Sequence, residues 1–200
     1  MRTRTRTEVR SSHLRGFALG AGRVALVPEQ AVLLAGDHVT LHVRVGARER
    51  LELVEPGGTV AYAMRGDQAR WDVHIDVEDG GRLVWLGQPF VLAAGAHVHR
   101  ATRIDVSGTA SVVVRETVVL GRYGEAPGRL EARTEVHRDH TPVLVEQLDS
   151  VVVLGRHRVL DQVMHLGAAG ASPEAMVLDS GDRLDRWLGD QVHRSPLRME

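Results

Sequence analysis

This chain of 200 residues contains no lysine and no cysteine, which excludes a lysine-bearing phosphate loop, a Schiff-base lysine, thiol catalysis and a cysteine zinc site. Its 25 basic and 26 acidic side chains leave a formal charge of −1, so no net field steers the protein onto nucleic acid or a membrane surface. No stretch approaches the roughly 18 consecutive apolar residues of a membrane span, and no apolar run follows the basic residues 1–7, so a single cytoplasmic domain over 1–200 is expected.

After a first dozen residues expected to be mobile, β-branched and polar residues alternate through Val39-Thr40-Leu41-His42-Val43-Arg44-Val45 and again through Trp71-Asp72-Val73-His74-Ile75-Asp76-Val77. A period of two marks a strand with one buried face. Similar runs predict strands over 103–106, 111–120, 130–136, 143–148 and 150–154, cut by Gly, Asp and Pro. The pairs Val43-x-Val45, Ile75-x-Val77 and Ile104-x-Val106 each precede a glycine and recur at offsets of about thirty residues. The chain therefore reads as all-β, with short strands stacked in a β-helix-like arrangement in which each rung leans on its neighbours. An antiparallel β-sandwich produces nearly the same pattern and is the alternative. Helical spacing appears only late. Val159, Val163 and Leu166 ahead of Gly167 predict one helix, and Leu184, Trp187, Leu188 and Val192 behind Asp182 predict a second over 182–193. Residues 167–173 form a small-residue linker, and 195–200 are expected to be mobile.

Trp85-Leu86-Gly87-Gln88-Pro89-Phe90 is followed by the turn Gly95-Ala96, and then by a strand carrying Glu116 that runs into Gly121-Arg122-Tyr123-Gly124-Glu125. Together with the upstream Gly36-Asp37 step, these segments resemble the UreD (UreH) urease accessory protein family over about two thirds of the chain, with Gly87 where the family usually has proline. The resemblance implies the stacked β-helix-like fold and a scaffold that is not an enzyme. Such a scaffold binds a helical partner, accessory protein F, which brings the nickel-carrying GTPase, accessory protein G, and the assembly docks on apo-urease. It implies no tightly bound cofactor, only transient Ni²⁺ on its way to the urease.

Several residues are candidates for that work. The two glycines let the 121–125 turn close sharply, so Arg122 and Glu125 come near enough to pair, either as a turn salt bridge or on a partner surface or passage wall. Glu116 lies in a Val-rich strand. Pointing outward it is ordinary polar surface; pointing inward it requires a wet or paired interior, and Glu116 and Glu125 are then candidate oxygen ligands for a passing nickel ion. Asp37 suits an Asx-type turn bonding the following amides, or a partner contact. Among 11 histidines, His97 and His99 fall on one face of a strand, and His137 and His140 flank Asp139. Both groups suit a borderline divalent metal such as nickel, although neither place has a third ligand evident in sequence, and surface histidine is the alternative reading. Two further function classes stay open: a generic β-rich adaptor, and a β-rich hydrolase built on the His137 and Asp139 region.

Overall fold

The computed structural model describes residues 7–30 and 33–197. An N-terminal trio opens the chain: β1 (Glu8–Ser11), β2 (Leu14–Gly20) and β3 (Arg23–Pro28). Three rungs follow. The first is β4 (His38–Val45), β5 (Arg50–Val54) and β6 (Thr59–Ala61), and the second is β7 (Ala69–Val77), β8 (Arg82–Leu86) and β9 (Phe90–Leu92). In the third, β10 (His97–Val106) leads to one long strand, β11 (Ser111–Leu120), whose beginning pairs with β8 and whose end pairs with β9. The hairpin β12 (Arg129–Arg138) and β13 (Thr141–Asp149) comes next. A single helical turn, α1 (Ser150–Val153), separates it from β14 (Val159–Leu166), β15 (Met176–Val177) and β16 (Arg183–Gly189), and a short 3-10 turn (Val192–Arg194) follows.

Equivalent strands of successive rungs pair in parallel, so the rungs stack into a short β-solenoid with two facing sheets. One sheet runs β1-β4-β7-β10-β12-β13, and the other runs β15-β16-β14-β11-β8-β5-β3-β2. Antiparallel strands finish both ends: at one, β1 on β4 and β2 on β3, which itself pairs in parallel with β5; at the other, β13, β14 and β16. Register explains the thirty-residue recurrence, because Val43, Ile75, Ile104 and Val136 are lateral neighbours in one inward column. That column and its counterpart Leu51, Leu83, Val112 and Leu166 fill the space between the sheets. The all-β, stacked reading therefore holds.

The two predicted helices do not form. Residues 159–166 are β14, and 182–193 contain β16 followed by the 3-10 turn. Strand β14 lies between β11 and β16 with every residue buried, so apolar side chains occupy both faces and the period of two disappears. What remains, Val159, Val163 and Leu166, imitates a helical stripe. The reverse error occurs at 150–154, where a Val-rich run expected to be a strand makes α1 instead. Asp149 caps it by accepting the Val151 N–H at 3.0 Å, and Ser150 Oγ accepts the Leu130 N–H at 2.9 Å.

Of the ends expected to be mobile, residues 1–6 and 198–200 lie outside the described residues; Glu8–Ser11 pair with β4, and Ser195 is buried. No helix among the described residues is long and apolar enough to cross a membrane.

Candidate functional site

In β10 the inward positions are Val98, Arg100, Thr102, Ile104 and Val106; in β11 they are Val112, Val114, Glu116, Val118 and Leu120. Two charged residues thus stand in phase with the apolar core. Arg100 sits in the column between Trp71 and Ala132, and its guanidinium lies 5.4 Å from the Phe90 ring centroid. Its Nη2 donates to Glu116 Oε1 at 2.7 Å, with the two side chains only 11% and 10% exposed.

From that pair a chain of polar groups crosses the solenoid. Glu116 Oε2 accepts from Gln162 Nε2 at 2.9 Å, and Gln162 Oε1 accepts from Arg186 Nη2 at 2.8 Å. Arg186 then makes two parallel 2.7 Å bonds to Glu146, a bidentate pair near the open end of the stack. Thr102, which donates to Glu116 Oε1 at 3.5 Å, and Thr134 add hydroxyls along the way. On the other side of Arg100 stands Glu55, which accepts the Trp85 indole N–H at 2.9 Å and the Gln88 backbone N–H at 2.8 Å. Burial pushes the Glu55 carboxyl above its ordinary value of 4.5, against the lowering effect of those two bonds.

Two small cavities, each about 20 Å³, lie along this path, and Arg100 and Glu116 border both. Each is on the scale of a single ordered water. One reaches toward Glu55, Thr59 and Gln88, the other toward Thr134, Glu146 and Gln162. The Arg100 and Glu116 pair therefore forms a polar partition between the two cavities. Among the described residues the buried Arg100 Nε has no hydrogen-bond partner, so this partition is not fully satisfied by them alone. Gly87 permits close packing beside the path: its N–H donates to Arg115 O, and a Cβ there would meet that oxygen at 2.8 Å.

The other candidates lie elsewhere. Arg122 and Glu125 pair across an outer turn, with Arg122 Nη2 2.6 Å from Glu125 Oε1 and neighbouring Tyr123 fully exposed. Gly121 and Gly124 adopt φ of 80° and 76°, which lets Glu125 also accept the Arg122 and Ala94 backbone N–H groups. These bonds, led by the Arg122 side chain, hold the Glu125 carboxyl down to about 2. Asp37 makes an Asx-type turn directed backward rather than onto the following amides, since its Oδ2 accepts the Leu34 N–H at 2.7 Å. His97 and His99 stand on the outer face of the six-stranded sheet.

The His137 and Asp139 region does not converge on a dyad. His137 Nδ1 lies 3.7 Å from Asp105, whereas Asp139 accepts the Gly108 N–H. Asp139 and His140, both at positive φ, form the tight β12–β13 hairpin turn.

The sequence singles out Glu116, which points inward, but not Arg100, Glu55, Glu146, Gln162 and Arg186, which line the same path. Arg100 had a legible signal: it continues the buried phase of Val98, Ile104 and Val106. Gln162, Arg186 and Glu146 had none, because they lie on strands whose pattern was misread or is mixed.

Residues 21–191 match the family model described as UreD urease accessory protein. The chain is similar to urease accessory protein UreD 1 of Streptomyces griseus, 45% identical over 76% of this chain and 62% of that relative. It is also similar to urease accessory protein UreD of Streptomyces avermitilis, at 38% over 71% of this chain and 61% of that relative. A more distant relative is UreD of Bordetella pertussis, at 31% over 84% of this chain and 59% of that relative. The matches thus span about three fifths of the length of these curated relatives.

Proposed function

The chain belongs to the UreD urease accessory protein family, and from that premise we propose that it is a non-catalytic scaffold of urease maturation whose interior polar path passes nickel toward apo-urease. The observation that carries this reading is the polar chain Arg100, Glu116, Gln162, Arg186 and Glu146 running through a solenoid core that is mostly apolar. Burying so many charges is costly, and replacing them by apolar side chains is often neutral or stabilising, so stability alone is a weak reason for their presence.

The donors suit transit. Carboxylate, hydroxyl and amide oxygens bind a borderline divalent ion more weakly than thiolates do, and the chain has no cysteine. Arg100 occupies the cation position beside Glu116, so a passing Ni²⁺ has to displace the guanidinium, and the returning guanidinium expels the ion. Exchange of one cation for another keeps Glu116 from becoming a trap.

Assembly is the second half of the reading. Val151, Val152, Val153 and the nearby Val145 are exposed, apolar side chains of the kind a partner covers. In this scheme the partners are apo-urease and the accessory proteins F and G, and the protein acts in the cytoplasm.

Two experiments test this. Deleting the gene should abolish nickel-dependent urease activity while apo-urease accumulates; full activity at ordinary nickel would sink the reading. Replacing the interior pair together, Arg100→Met with Glu116→Leu, should leave complex assembly intact and slow activation. Normal assembly with normal activation removes the passage role.

A further inference from the structure

The outer face of the six-stranded sheet carries a cluster of imidazole and carboxylate side chains, separate from the interior path. His97 and His99 are two residues apart on β10, which puts both imidazoles on one face with ring centroids 4.9 Å apart. The parallel register sets Glu131 of β12 directly beside His99. One ligand atom from each of the three residues lies within 4.8 Å of the other two. We infer that His97, His99 and Glu131 form a surface site for one borderline divalent cation, nickel or zinc, with water completing its coordination.

The hydrogen bonds around the group point the same way. His99 Nε2 lies 2.8 Å from Gln68 Oε1, and in the tautomer that donates this bond the unprotonated Nδ1, 3.6 Å from Glu131 Oε2, is left to a cation. Gln68 thereby acts as the outer partner that orients a metal-binding histidine. His97 Nε2 reaches the other carboxylate oxygen at 3.1 Å. A bound ion at about 2.1 Å from each donor needs them about 3–3.5 Å apart, a contraction that partly exposed side chains reach by small rotations.

Charge around the group is mixed. Arg129 lies 3.0 Å from Glu131 Oε1, but it is shared with Asp149 Oδ2 at 2.8 Å. When a cation takes Glu131, Arg129 keeps its bond to Asp149. Two neutral imidazoles and one carboxylate, a nitrogen-rich set without sulfur, favour nickel, copper or zinc over magnesium or calcium. The site does not depend on the nickel-delivery reading.

Equilibrium dialysis of the tag-free full chain against Ni²⁺, and separately Zn²⁺, near neutral pH tests it. The unaltered protein should hold one more ion per chain than the His97→Ala/His99→Ala variant. Glu131→Gln, which preserves shape and serves if the double variant folds poorly, should weaken binding at least about tenfold. His42→Ala, which removes an exposed imidazole of the same sheet outside the group, should keep the ion, which separates this site from general histidine binding. Equal stoichiometry and affinity in the His97→Ala/His99→Ala variant, or loss of the ion in His42→Ala, overturns the assignment.

Discussion

Two of the arginine–glutamate pairs lie between residues 100 and 125, and they differ in nearly everything but chemistry. Arg122 and Glu125 close an outer turn three residues apart, with Arg122 more than half exposed. Arg100 and Glu116 come from different strands and meet between two sheets, almost wholly buried. Water screens the first pair and competes for its hydrogen bonds, so its contribution is local and small. For the second pair, each member is the chief compensation for the other's desolvation, and neither tolerates being left alone. The same two residue types therefore serve as a turn fastener in one place and as a polar partition in the other.

The largest break in this comparison comes from removing one member of the buried pair. A leucine at 116, which the strand pattern alone treats as harmless, strands the Arg100 charge and should destabilise the protein by about 3–5 kcal/mol in urea unfolding. A loss under about 1 kcal/mol would mean that the interior hydrates freely.

Removing both members should cost far less. Arg100→Met with Glu116→Leu replaces the pair by apolar side chains of similar size and should recover most of the single-variant loss, a non-additivity measurable in a double-mutant cycle. Additive losses would show that the two side chains act independently. The same variant separates folding from function, since stability returns while nickel-dependent activation stays slow.

The smallest effect is expected at the outer turn, where pH is the sharper probe. The Glu125 carboxyl lies near 2 in the folded protein against an ordinary 4.5, chiefly through its bonds from Arg122. A depressed carboxyl stabilises the folded state above its unfolded value and loses that contribution as pH falls through the folded one. Glu125→Gln should therefore lower the melting temperature slightly at neutral pH, with the difference from the unaltered protein shrinking between about 4.5 and 2. Urease activation should survive the change. A difference that persists unchanged in acid would show that the carboxylate charge is not what holds the turn.

The all-β character was legible because one-sided burial imposes a period of two on β4 and β7, and the rung repeat was legible because stacked columns demand equivalent residues at equivalent offsets. The Arg122 and Glu125 bridge could be read directly, since three residues and two glycines suffice to close it. Strand β14 was not legible, because burial on both faces erases the alternation that identifies a strand, and the same loss concealed Gln162. The meeting of Arg100 with Glu116, and of His99 with Glu131, was decided only in three dimensions. Sequence spacing places a side chain on a face of its own strand, but which residue of another rung stands opposite depends on lateral register and on the separation of the sheets. Those are set by the packing of the whole core.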